Sequence, residues 1–293
     1  MLTPDIEPTM PNNSALFNDD FYNRFSLRPH TLQLSETIEK TYMFPTFYGN
    51  VTQAVAIYLC SYERACELLP HPNLKPVSMG KGRSLVIFSC YEYKQVHQVS
   101  PYNEIAMTIP VLANPSVNIP ILPMVIPGLF KKFGYYVFSM PVTSHENQIR
   151  GNKLWGLPKV TQDIDFRTED GFHICHAREE NGAPYFELKV PMNGKTMNCD
   201  ESGYLYSQRQ GSMLKSKTCF TGTYSINKYM GRLFIKDQAK TDYLWLGDTP
   251  CGNRIKKLEL DSQPLQFRYA EHVRSCFDLP DTSQAEFLKT HFG

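Results

Sequence analysis

The residue best placed to do covalent chemistry is Lys159, which follows Trp155, Leu157 and Pro158 and precedes Val160. A lysine at its ordinary pKa of about 10.4 is almost wholly charged at neutral pH. Apolar surroundings disfavour the ammonium and lower that pKa. Only the neutral amine attacks a carbonyl, so burial is a route to a Schiff-base nucleophile. Pro158 biases Leu157 away from the helical region, so the chain is expected to leave a helix just before the lysine. The plainer reading of the same residues is a lysine that opens a strand and snorkels its charge into water.

A lysine put to chemical use needs elements that bury it, and the chain is rich in strand signals. Residues 51–61 are β-branched and apolar, and 83–93 and 104–113 read as two strands joined by a polar loop. Residues 62–69 have helical spacing and stop at Pro70. Residues 133–140 form another strand. A helix then starts with Thr143 and Glu146 spaced as a capping box and ends near Gly151 or Trp155. After Lys159, residues 160–166, 171–177, 184–190, 203–208, 223–229 and 231–236 alternate as strands, with turn signals between them. Residues 256–261 and 265–270 also read as strands, and 271–277 as a short helix. The expected fold is mainly β (α+β): antiparallel strands closed into one or two barrels, with a few short helices. Barrel interiors bind small molecules. Residues 1–30, rich in Pro, Asn and Asp, read as an arm or an oligomerisation strap outside the core, with one barrel domain over 31–293.

Composition excludes several classes. Thirty basic and 29 acidic side chains give a net charge of +1, so bulk charge predicts no nucleic-acid or membrane partner. The N-terminus has neither the basic nor the apolar region of a secretory signal. The apolar stretch 117–130 is broken by Pro120, Pro123 and Pro127 and is too short to span a bilayer. A soluble, cytoplasmic protein is expected. The eight cysteines include no C-x-x-C pair and read mostly as buried small hydrophobes. His173, Cys175 and His176 cannot share one face of a strand, so no metal is expected there. No phosphate-binding glycine motif and no G-x-S-x-G elbow occurs. Neither a metal nor a bound organic cofactor is expected.

The segment from Gly151 to Trp155-Gly156-Leu157-Pro158-Lys159 resembles the signature of the acetoacetate decarboxylase superfamily. In that family the lysine after the proline forms the Schiff base. Pro101-Tyr102-Asn103-Glu104 is similar to the family's Pro-Tyr-x-Glu strand, whose glutamate faces the active-site cavity. Further matches are Ala54-Val55-Ala56-Ile57 with Leu68-Leu69-Pro70, and the C-terminal Leu258-Glu259-Leu260 and Phe277-Asp278-Leu279-Pro280. The likeness spans roughly residues 45 to 280.

The resemblance implies a barrel or double-barrel cone with the lysine inside, and possible homo-oligomers. It implies a lyase acting on a keto acid or ketone. Lys159 would be the nucleophile, Glu104 would position groups or move protons, and Tyr102, Trp155, Leu157 and Arg150 would contact substrate. The chain also departs from the family pattern. Val160 stands where the family has a second lysine, and no basic residue occurs at 50–53, where the family has an arginine. Ser89 falls where a second cavity glutamate is expected, with Glu92 close by, and Leu157 replaces an aromatic. These departures point away from acetoacetate itself. Arg150, Arg232, Arg268 or Arg274 could supply another carboxylate partner. Two further readings of the same barrel are an aldolase, dehydratase or cyclase of secondary metabolism and a non-catalytic carrier of small molecules.

Overall fold

The structure, a computed structural model, describes residues 6–234 and 241–281. Its strands in chain order are β1 (Arg28–Gln33), β2 (Glu39–Phe44), β3 (Thr46–Ser61), β4 (Leu74–Pro76), β5 (Arg83–Val96), β6 (Tyr102–Ala113) and β7 (Phe133–Val142). After them come β8 (Lys159–Thr161), β9 (Asp163–Glu169), β10 (Phe172–Arg178), β11 (Pro184–Pro191), β12 (Lys195–Arg209), β13 (Ser212–Lys228), β14 (Leu244–Leu246) and β15 (Gln266–Pro280). The α-helices are α1 (Tyr62–Glu67), α2 (Leu122–Val125), α3 (His145–Trp155) and α4 (Pro250–Lys256). Among the described residues no helix is long and apolar enough to cross a membrane.

The main sheet runs β4-β6-β5-β3-β15-β13-β12-β7-β8, and β6 also pairs with β7. That extra pairing closes β6, β5, β3, β15, β13, β12 and β7 into a barrel. The expected β-rich barrel fold is thus present. A four-stranded sheet, β14-β11-β10-β9, packs against its outside. Alternation decides which side chain goes where, because successive residues of a strand point to opposite faces. Ala54, Ala56 and Tyr58 of β3, Val86, Phe88 and Cys90 of β5, and Ile105, Met107 and Ile109 of β6 share a core with Ile164, Cys175, Phe186 and Leu188 of the second sheet. The intervening residues of β3, β5 and β6 face the lumen. Both faces of these strands are covered, which is why the three segments read as near-continuous apolar runs.

Several local expectations are corrected. Residues 271–277 lie inside β15, not in a helix. Residues 256–261 close α4 and the turn after it instead of forming a strand; Pro250 opens that helix and the Thr249 side chain caps it. Met230–Leu233 is a 3-10 turn within the expected strand 231–236, whose last two residues lie outside the described ones. The cap of α3 is Ser144, whose Oγ accepts from the Asn147 amide at 3.3 Å, and not Thr143, whose Oγ1 accepts from the Asn103 amide. The N-terminal segment is no detached arm. Phe17, Phe21 and Tyr22 are buried with Phe47, Cys219 and Cys276, and the Tyr22 hydroxyl donates to the Tyr48 carbonyl at 2.9 Å.

Candidate active site

Lys159 opens β8, whose parallel register with β7 sets Met140 beside it. The approach to it is dictated locally. Helix α3 ends at Trp155, and Gly156 turns the chain in a left-handed conformation (φ 60°) where a Cβ would strike the Gln208 carbonyl. Leu157 and Pro158 then carry the chain into the strand. The Lys159 amide donates to the Asn152 side chain at 3.2 Å. The aliphatic stem of Lys159 lies against Gly151, where any Cβ would overlap its Cγ, Cδ and Cε carbons.

The Lys159 Nζ donates to Glu104 Oε2 at 2.6 Å, and both side chains are only 6% exposed. The other carboxylate oxygen accepts from the Tyr93 hydroxyl at 3.3 Å. The ammonium also sits 5.6 Å from the centre of the Tyr102 ring. Burial pulls the Lys159 pKa below its ordinary value; Glu104 opposes that shift, and the nearby positive charge of Arg150 adds to it. Burial also holds the phenols of Tyr48, Tyr91 and Tyr93 above the ordinary tyrosine value, with the charge of Glu104 pushing the same way. At neutral pH these phenols are therefore neutral hydrogen-bond donors.

Lys159 and Glu104 face one cavity of about 210 Å³ in the barrel lumen. Of the residues the sequence singled out, the structure brings Lys159, Glu104 and Leu157 to its wall. Tyr102 lies beneath the amine without lining the cavity. Trp155 packs between Phe44 and Phe277, with ring centroids at 5.7 and 4.9 Å, and its indole donates to the Asp278 carbonyl. Arg150 is fully buried behind the wall. Its guanidinium donates to Asn147 and Thr46 and lies 4.3 Å from the Tyr42 ring centre. It makes no ion pair among the described residues. Glu146, one turn earlier on α3, is taken by Lys40 and by the Tyr42 hydroxyl, each at 2.7 Å. Of the other arginines, Arg268 reaches the cavity wall but is paired with Glu201 at 3.2 Å. Arg274 pairs with Asp19 at 2.7 Å, and Arg232 stacks on Tyr229.

Sequence reasoning missed Gln53, Tyr91 and Tyr224. Gln53 Nε2 donates to the Tyr91 hydroxyl at 3.3 Å, and its carbonyl oxygen accepts from the Tyr224 hydroxyl. Register could have found two of them: Gln53 pairs with Tyr91, and Tyr91 with Glu104, so all three share the lumen face. Gln53 occupies the stretch where no basic residue occurs, and Ser89, at the position where a second cavity glutamate is expected, lines the cavity. Glu92 falls on the alternate face, 3.8 Å from Lys94. Among the described residues no group of three or more His, Cys, Asp and Glu is placed to hold a metal ion.

A closed barrel with a lysine–carboxylate pair in its lumen places the chain among β-barrel proteins of the acetoacetate decarboxylase type. Residues 32–220, well over half of the chain, match the family model described as Acetoacetate decarboxylase (ADC), and the chain belongs to that family. Membership supports an enzyme. Among solved structures, the fold is similar to that of acetoacetate decarboxylase from Legionella pneumophila subsp. pneumophila (TM-score 0.57, 13% identity, covering 81% of this chain and 86% of that one). It is also similar to the enduracididine biosynthesis enzyme MppR complexed with pyruvate (TM-score 0.54, 11% identity, 87% and 98%). A third structure, described as acetoacetate decarboxylase, gives a TM-score of 0.52 at 14% identity, covering 80% and 87%. At such identities the likeness is one of fold. No curated protein matches the chain by sequence.

Proposed function

We propose that the chain is an enzyme that forms a Schiff base between Lys159 and the carbonyl of a ketone or keto acid. The observation that carries this reading is the buried contact of 2.6 Å between the Lys159 amine and Glu104 inside the lumen. Moving one proton along that contact yields a neutral amine and a neutral carboxylic acid together. The amine lone pair adds to the carbonyl carbon. Glu104 protonates the departing oxygen, water leaves, and an iminium remains. The iminium draws electrons from the neighbouring carbon. When that carbon bears a carboxylate, its bond to carbon dioxide breaks and the pair forms an enamine. Protonation at carbon, with the proton supplied through Glu104, and hydrolysis then free the amine.

The electrostatics fit a nucleophile without a charged sequence neighbour. Val160 is exposed and supplies no charge. Arg150 supplies one from behind the wall, and a nearby positive charge disfavours a second.

A second reading is favoured by the cations. The cavity wall carries Lys159, held by Glu104, and Arg268, held by Glu201. A substrate carboxylate next to the iminium would meet the Glu104 carboxyl, Met140 and Leu157 instead of a cation. This suits a neutral carbonyl compound undergoing aldol-type bond making or breaking, or dehydration, through the same iminium and enamine.

Borohydride reduction with a methyl ketone such as 2-heptanone tests the shared step. A stable adduct of ketone plus lysine, less water and plus two hydrogens, is expected on the peptide holding Lys159. Absence of that adduct with every carbonyl compound tried, or full turnover by Lys159→Ala, would end the proposal.

A further inference from the structure

We infer that the carbonyl compound bound by Lys159 carries an extended, uncharged apolar chain that runs along the barrel lumen away from the amine. This rests on the Schiff-base reading and adds a substrate class to it.

The lumen wall is built in three layers fixed by strand register. The first is Gln53, Tyr91 and Glu104, at the amine. Two residues further along each strand comes the second, Val55, Ser89 and Ala106. The third is Ile57, Ile87 and Thr108, which Met124 of α2 and Tyr135 of β7 join on the cavity wall. All nine layer residues line the cavity. Among these strand residues charge is confined to the first layer, with an amide, a phenol and a carboxyl; one hydroxyl between two aliphatic side chains follows, then two isoleucines and a threonine with Met124 and the Tyr135 phenol beside them.

From Glu104 to Thr108 the strand advances about 13 Å at roughly 3.3 Å per residue. A four-carbon keto acid held at Lys159 fills only the first part of that length. The cavity stays open past the amine because the middle layer is narrow in side-chain bulk. Ser89 and Ala106 sit side by side there on adjacent strands, where larger residues would close it. Chemistry at the far end then selects what fills the space. No charged side chain belongs to the third layer. Arg268 enters level with the second layer, opposite Val55; its guanidinium pairs with the exposed Glu201 at 3.2 Å, while its Nε is buried without a hydrogen-bond partner. An alkyl or aryl chain gains by burial against the isoleucines of the third layer, whereas a charge placed there would lose its water among side chains that carry none, the one cation of that part of the wall, Arg268, being already neutralised by Glu201.

The test is reductive trapping of the full chain with borohydride and a graded series: 2-butanone, 2-heptanone, 2-decanone and the ω-acid 9-oxodecanoate. Each buried methylene favours binding by about fourfold. At limiting ketone concentration, the trapping rate should rise at least about tenfold from 2-butanone to 2-decanone. Ala106→Leu and, separately, Ile87→Trp should bring 2-decanone trapping down to the 2-butanone rate of the same variant; a variant that still traps 2-decanone about tenfold faster than 2-butanone would overturn the inference. A cooperative denaturant unfolding transition shows that each variant is folded. Equal trapping of 2-butanone and 2-decanone by the wild type would overturn the inference while sparing the Schiff base. So would faster trapping of 9-oxodecanoate than of 2-decanone, which would assign the chain end to Arg268. No adduct with any of the four would instead remove the Schiff-base reading beneath it.

Discussion

Strands β3, β5 and β6 carry two faces of opposite character. The outward face, Ala54, Ala56, Tyr58, Val86, Phe88, Ile105 and Met107, is a dry core against the second sheet. The lumen face, one residue out of phase, holds Gln53, Ser89, Tyr91 and Glu104 around open space. One backbone serves both, because a strand alternates sides at every residue and a slip of one position would exchange the two sets. The dry core lies on one face and the candidate catalytic groups on the other. Substitutions on the two faces should therefore fail in different ways.

The largest contrast is expected at the amine itself. Lys159→Ala should abolish borohydride-trapped adduct, measured by intact mass, while the protein keeps its fold. Glu104→Gln should come next. Loss of a positioned acid–base group lowers turnover by about 10²–10⁴-fold. The same change should move the pH midpoint of adduct formation downward, because Glu104 is the group that raises the amine pKa. On the outer face, Phe88→Ala should cost about 3–5 kcal/mol in denaturant unfolding, since its buried ring contacts Phe186 at 5.5 Å and Tyr58 at 6.0 Å. An adduct rate unchanged under folding conditions would sharpen the division of labour; a lost adduct in a folded variant would break it. Tyr91→Phe should cost only about 0.5–1.5 kcal/mol, because one hydrogen bond to Gln53 goes while the ring stays.

The smallest effect concerns pH. Adduct formation needs neutral amine, so it should rise with pH through a midpoint below the ordinary lysine value. Burial sets this midpoint low, Glu104 on β6 raises it and Arg150 on α3 lowers it further; the neutral phenols of Tyr93 and Tyr102 also face the pair. Arg150→Met removes a positive charge that disfavours the ammonium, so the midpoint should move upward, opposite to Glu104→Gln. Arg150→Lys should restore it. A midpoint unmoved in Arg150→Met would confine Arg150 to packing.

What the sequence made legible follows from how locally each feature is encoded. Lys159 and Glu104 sit in short motifs, so each could be named without knowing the fold. Their contact could not, because it joins residues 55 apart through the β6–β7–β8 register. Gln53 and Tyr224 lie 171 residues apart and meet only because β15 pairs between their two strands. The C-terminal strand misled for a definite reason. Between Ala270 and Ser275 the register of β15 shifts twice against β3, and His272 takes φ 55°. Such breaks erase the two-residue alternation that marks a strand. Residues 256–261 misled in the reverse sense: they alternate, yet Pro250 and the Thr249 cap had already committed the segment before them to a helix. Aromatic residues at 17, 21 and 22 are scattered among prolines and asparagines, so their burial against Phe47 was invisible without the barrel they cover.

The bare Cα of Gly151 has one more implication. The lysine stem occupies the space that any side chain there would need, so the helix packs directly against it and fixes its course into the lumen. The amine is thus held in place before any ligand arrives, and the entropy of finding its position has been spent in folding rather than in each turnover. Even a single methyl group at that site should displace the stem and draw the amine away from Glu104.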